Sequence, residues 1–192
     1  MPHRAPIVLA SGSPQRRAIL TMLGISFRVH VPGVAERDEG PARDVCVDNA
    51  RAKARTALGA TVLGVDTVVT LDGRLHGKPP DAAAAEEVLS RLAGRTHEVW
   101  SGIALRTGGE ERVGTACTHV RMRPLDAAWL AWYLETGEWE GRAGGYAIQG
   151  RGAALVERIE GDYWNVVGLP VPELVRLAPG LVVAGAAPPP PG

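Results

Sequence analysis

Between Val62 and Pro79 the chain reads V-L-G-V-D-T-V-V-T-L-D-G-R-L-H-G-K-P, and this stretch constrains the fold more than any other. Val62, Leu63, Val65, Val68, Val69 and Leu71 make an apolar, largely β-branched run, too continuous for a strand with one solvated face. It predicts a buried strand near the centre of a sheet. Asp66 interrupts the run. A carboxylate there is costly unless it is paired, hydrogen-bonded or bound to metal, which marks it as a candidate functional group. Asp72-Gly73 predicts a tight turn, and Lys78 returns just before Pro79. One strand-turn-strand unit thus delivers an acid and a base toward one cleft, a combination suited to metal and phosphate chemistry.

Composition bounds what the cleft can belong to. With 192 residues, 45% of them hydrophobic, the chain is long enough for a single domain over residues 1–184 with a full core. The 21 basic and 21 acidic residues cancel, which argues against a broad footprint for nucleic acid or an anionic membrane. Any anion site must be local. Cys46 and Cys117 stand far apart, outside any C-x-x-C pattern, and are expected to be free thiols. The start, M-P-H-R-A-P-I-V-L-A, lacks a signal-peptide core, and no run approaches the roughly 18 apolar residues of a membrane helix, so a cytoplasmic location is expected. Gly185 to Gly192 contains four consecutive prolines and nothing to bury, and is expected to be a disordered tail.

Taken in order, Ile7 to Ala10 predicts a strand that empties into Ser11-Gly12-Ser13-Pro14 and a helix ending at Gly24. Ser13 suits the cap, Pro14 the first helical position and Gly24 the left-handed end. Exposed backbone N–H groups, with Arg16 and Arg17 in the first turn, suit a phosphate. A capped amphipathic helix with solvated arginines fits the same residues. Phe27 to Val31 predicts a second strand, followed by a polar loop carrying Glu36, Asp38 and Glu39. Ala42 to Ala57 predicts a helix, on which Lys53 reads from pattern alone as a solvated lysine.

Asp81 is expected to cap a helix that turns Val88, Leu89 and Leu92 inward and ends at Gly94. His97 to Leu105 and Arg112 to Met122 predict a hairpin with Thr107 to Glu111 as its loop. His97 and His119 have no second ligand at a characteristic spacing, which weighs against a metal site there. Asp126 should start a helix through Leu134, with Trp129, Trp132 and Tyr133 as core or subunit contacts. The glycine-rich segment Thr136 to Gly168 is expected to be a loop that approaches a ligand closely. Within it, Gln149 can present a donor and an acceptor to a base edge, or satisfy neighbouring backbone. Leu169 to Leu177 closes with a helix.

Four segments together carry a resemblance: L-A-S-G-S-P-Q-R-R, A-R-A-K-A, G-V-D-T-V-V to G-K-P with L-A-G-R-T-H after it, and R-A-G-G-Y-A-I-Q-G through V-V-G-L-P. In this order, over roughly Ile7 to Leu177, the chain resembles the Maf family of nucleoside triphosphate pyrophosphatases. The resemblance implies an α/β fold, an elongated mixed sheet flanked by helices around a deep nucleotide-binding cleft, related to the inosine triphosphatase type. It implies a divalent cation, magnesium or manganese, and a homodimer. Asp66 would be the proton acceptor, Arg16, Lys53 and Lys78 with Ser13 would hold the triphosphate, and Glu36 and Asp66 would carry the metal. The chemistry asks for this set, because water attacks the α-phosphorus while cations offset charge on the departing pyrophosphate.

Gln15, Thr67 and Gln149 stand where branches of the family differ. The dTTP/UTP branch usually carries arginine, threonine and glutamine there, and the 7-methyl-GTP branch tryptophan, glutamine and glutamate. Two of the three positions match the first branch. The expectation is hydrolysis of dTTP and UTP to the monophosphate and pyrophosphate; the alternatives are 7-methyl-GTP hydrolysis and a non-catalytic nucleotide-binding regulator of cell division. Ala35 replaces an acidic residue common in relatives, which leaves one fewer metal ligand.

Overall fold

The computed structural model describes residues 5–183. Its strands are β1 (Ile7–Ala10), β2 (Phe27–His30), β3 (Thr61–Leu71), β4 (Arg74–His76), β5 (Thr96–Thr107), β6 (Glu110–Met122) and β7 (Val156–Glu160). Its α-helices are α1 (Pro14–Met22), α2 (Ala42–Arg55), α3 (Ala82–Leu92), α4 (Ala127–Leu134), α5 (Tyr163–Val167) and α6 (Val171–Leu177). The strands form one mixed sheet in the order β2-β1-β3-β5-β6-β7, with β4 also paired to β3. The run beginning at Val62 is therefore the inner strand its composition demands, with 11 residues and Val62 to Asp66 all buried.

β3 positions the site because its two edges are treated differently. One edge pairs continuously with β5, antiparallel from Thr61 to Thr70. The other edge pairs in parallel with β1 at Val62 to Gly64 and antiparallel with β4 at Val69 to Leu71. Between them, residues 65–68 have no strand partner on that edge among the described residues. The gap lies just beyond the carboxyl end of parallel β1, the kind of switch point where α/β sheets leave room for ligands.

Side chains alternate across β3, so the gap opens onto both faces of the sheet. On one face, Leu63 and Val65 join Ile19 and Leu20 of α1 and Leu174 of α6 in one apolar cluster. Further along that face Val69 and Leu71 join Leu89, Leu92 and Tyr133 in a second cluster. Thr67 sits between the two. On the opposite face Val62 packs with Ala50 and Ala54 of α2. α2 approaches closely because β3 and β5 offer Gly64 and Gly102 beneath it; a Cβ on either would collide with the helix backbone.

The local readings hold where a cap or turn decides them. The Ser13 hydroxyl accepts from the Arg16 N–H, and Asp81 and Asp126 cap α3 and α4 in the same way. Asp72 and Gly73, both at positive φ, make the β3-β4 turn. Two expectations are corrected. The loop expected over Thr107 to Glu111 is only Gly108-Gly109, at positive φ, because the flanking polar residues continue the ladder to Thr107 and Glu110. The segment Thr136 to Gly168 is not loop throughout: Val156 to Glu160 pairs with β6 as an edge strand, and α5 follows. Composition hid that strand, because an exposed edge needs few apolar residues. The expected tail, Gly185 to Gly192, lies outside the described residues.

Candidate active site

A cavity of about 370 Å³ opens at the gap in β3. Ser13, Gln15, Arg16, Glu36, Lys53, Thr67, Lys78 and Gln149 all line it. Eight side chains expected from sequence to act together are thus brought together, from five separate segments. Asp66, the ninth, is 5% exposed and sits behind Lys53 rather than on the wall.

The carboxylate of Asp66 is fully engaged. Its Oδ1 accepts from the Lys53 ammonium at 2.5 Å, and its Oδ2 from the Asn49 amide at 3.0 Å. Lys53 reaches a second carboxylate, Glu36 Oε1, at 2.8 Å. One ammonium therefore bridges a buried acid and a half-exposed one. Burial pushes the Glu36 carboxyl up, but the Lys53 hydrogen bond and the charges of Lys53, Lys78 and Arg16 outweigh it and hold the group below its ordinary value. Two carboxylate oxygens converging on one cation are a hard-oxygen donor pair, the chemistry that magnesium or manganese takes.

Arg16 is the second buried cation. Its Nε donates to the Gly168 carbonyl at 2.9 Å, Nη1 to Ser11 Oγ at 2.9 Å and Nη2 to Thr67 Oγ1 at 3.2 Å. The bland reading of a solvated first-turn arginine holds for exposed Arg17 and fails for Arg16. Burial pulls its pKa down, against the opposing pull of Asp66 and Glu36. The Gly168 carbonyl is available because α5 ends there at a φ of 129°. Thr67 Oγ1 also bonds Ser101 Oγ at 2.8 Å, so this hydroxyl is committed to holding Arg16 in place. Gln15 Oε1 accepts from the Ser13 hydroxyl at 3.1 Å.

The opposite wall comes from the glycine-rich segment. The Gly144 N–H donates to the Gly77 carbonyl at 3.1 Å, which ties this segment beside Lys78. Gly144 and Gly145 both take positive φ and pack on Val69, Pro79 and Ala85, where a side chain would be strained and crowded. Tyr146 lines the cavity and its hydroxyl bonds His97 Nε2 at 2.8 Å. Burial, with a smaller push from His76, holds the His97 imidazole down to about 4, so it is neutral at pH 7.

Two contributors were missed from sequence. Asn49 lies four residues before Lys53 on the same face of α2, and its side chain also clasps the Arg37 backbone at N (2.7 Å) and O (2.9 Å). It thereby fixes the Glu36 loop against Asp66. An amide at that helical spacing from Lys53 was the available signal. Arg142 lines the cavity with its Nε buried and unpartnered among the described residues. Burial lowers its pKa, while Tyr133 and Glu138 raise it.

The fold and cavity define an α/β protein whose cleft sets buried cations against a pair of carboxylates, a lining whose cations suit an anionic ligand. The chain belongs to the Maf family: the Maf-like protein pattern matches residues 6–180. A dTTP/UTP pyrophosphatase of Symbiobacterium thermophilum is 48% identical over 177 residues, 89% of this chain and 91% of that protein. One of Thermus thermophilus is 47% identical, over 91% of this chain and 94% of that protein, and one of Thermococcus gammatolerans is 43% identical, over 89% and 94%. Among the described residues no helix is long and apolar enough to cross a membrane.

Proposed function

We propose that this protein hydrolyses dTTP and UTP to the nucleoside monophosphate and pyrophosphate. The observation that carries the reading is the buried Lys53–Asp66 pair at the back of a cavity that Arg16, Lys78 and Arg142 also face. The names of the similar proteins supply the substrate.

Lys53, Lys78 and Arg16 bind the phosphate chain. As a phosphate arrives, Lys53 exchanges a carboxylate for a phosphate oxygen and uncovers Asp66. The Asp66 carboxylate accepts a proton from water as the water oxygen bonds the α-phosphorus. The bond from that phosphorus to the α,β-bridging oxygen breaks, and pyrophosphate leaves. Glu36 and Asp66 would hold magnesium or manganese, which when bound neutralises developing phosphate charge. Gln149 is exposed on the wall and offers a donor and an acceptor to the mixed edge of uracil or thymine. The protein would work in the cytoplasm as a homodimer. The exposed Trp129 and Trp132 on α4, 37% and 40% accessible, support the latter as apolar surface that a second copy would cover.

The test is pyrophosphate release from dTTP, UTP, CTP and 7-methyl-GTP with magnesium or manganese. We expect dTTP and UTP to lead, and chelation of the metal to abolish turnover. Gln149→Glu should lower kcat/KM for dTTP by roughly tenfold or more, because a carboxylate cannot donate to the pyrimidine carbonyl. Release from none of these nucleotides would sink the hydrolase reading. A preference for 7-methyl-GTP would overturn the base assignment alone.

A further inference from the structure

Val99 of β5 lines the cavity, so by strand alternation Glu98 and Trp100 face the other side of the sheet. There the register sets Glu98 opposite His119 and Trp100 opposite Cys117 on β6. The ligand atoms of Glu98, Cys117 and His119 all lie within 4.8 Å of one another, and none of the three lines the cavity. We infer that Glu98, Cys117 and His119 form a second, separate metal site, one that takes a zinc-class divalent cation through a carboxylate oxygen, a thiolate and an imidazole nitrogen.

The geometry is close to what such an ion needs. Zinc bonds of about 2.0–2.3 Å place tetrahedral ligands roughly 3.3–3.7 Å apart. Glu98 Oε1 already stands 3.6 Å from His119 Nε2. The Cys117 sulfur lies within 4.8 Å of both other ligand atoms, so it has at most about 1.3 Å to close, a distance side-chain rotation can supply. The Trp100 indole N–H donates to Glu98 Oε2 at 2.8 Å, fixing the carboxylate while Oε1 faces the histidine. Neighbouring cations on this face are already paired, Arg121 with Glu157 and Arg158 with Glu160.

The donor set separates this site from the cavity. A thiolate and an imidazole select a borderline-soft ion such as zinc, whereas the carboxylates Glu36 and Asp66 suit magnesium or manganese. Burial and the Glu98 charge raise the Cys117 thiol to about 11, so the thiol keeps its proton until a metal arrives. On binding, the S–H bond breaks, the sulfur bonds the cation and the proton passes to solvent. Sequence spacing concealed the site, because one ligand comes from β5 and two from alternate positions of β6.

The test uses the full chain and two probes, zinc by isothermal titration calorimetry and cobalt by absorption. Wild type should bind one zinc per chain and give a sulfur-to-cobalt charge-transfer band. Cys117→Ser should abolish the band, and Cys117→Ser and His119→Ala should each weaken zinc binding by roughly tenfold or more. Both variants should keep magnesium-supported pyrophosphate release, and Asp66→Asn should keep zinc binding, which separates this inference from the hydrolase reading. Zinc binding unchanged by Cys117→Ser, or no thiolate band in wild type, would overturn it.

Discussion

Asp66→Asn is expected to lower kcat for dTTP hydrolysis by about 100- to 10,000-fold, the range over which a positioned acid or base contributes. The substitution nearly keeps the shape. It does not keep the hydrogen bonding, because Asp66 accepts at both oxygens, from Lys53 and from Asn49. Asparagine offers one acceptor and one NH2, so one of those two donors must face another donor. The ammonium still has Glu36 at 2.8 Å, and the variant should melt cooperatively within a few degrees of wild type. Lys53→Met reverses the balance. It strands a carboxylate that is 5% exposed with only the Asn49 amide, and breaking a buried pair from one side costs about 3–5 kcal/mol. Thermal melts beside initial rates separate the two outcomes: a large rate loss with small melting change for Asp66→Asn, and losses of both for Lys53→Met. Near-normal turnover in Asp66→Asn would remove this group from the chemistry.

The strand around Asp66 was legible because burial, β-branching and a misplaced charge all point the same way. The N-cap serine, the helix-ending glycine and the Asp72-Gly73 turn were legible because each is a local rule that needs no partner. What pattern could not reach were the long-range pairings. Lys53 reads as a surface lysine until β3 brings Asp66 beneath it, 13 residues away in the chain. Arg16 reads as a solvated arginine until the Gly168 carbonyl, 152 residues on, takes its Nε–H. Family resemblance picked out both residues, whereas their own spacing left them open. Asn49 and Arg142 escaped because a mid-helix amide and a loop arginine have common surface explanations. The edge strand Val156 to Glu160 escaped for a different reason: glycines before it dominate the composition of its segment.

The second large effect concerns glycine beneath α2. A Cβ on Gly102 would collide with the Cys46 carbonyl and the Val47 N–H, and one on Gly64 with the Ala50 carbonyl and the Ala54 N–H. These are backbone atoms inside a helix, so neither can swing aside. Asn49 and Lys53 ride on that helix, and their bonds to Asp66 exist only while it lies this close. Gly102→Ala should therefore push α2 outward, costing about 1–3 kcal/mol and roughly 2–12 °C of melting temperature. Displacing Asn49 and Lys53 from Asp66 by about 1 Å should also cost on the order of 100-fold in kcat if the pair acts as proposed. Gly114→Ala on β6 is the matched control. The atoms its Cβ would meet belong to the Glu173 side chain, which can turn away, and α6 supplies no residue to the cavity. We expect that variant to keep wild-type turnover. Should Gly102→Ala melt and turn over like wild type, close packing of α2 is not what holds Asn49 and Lys53 on Asp66.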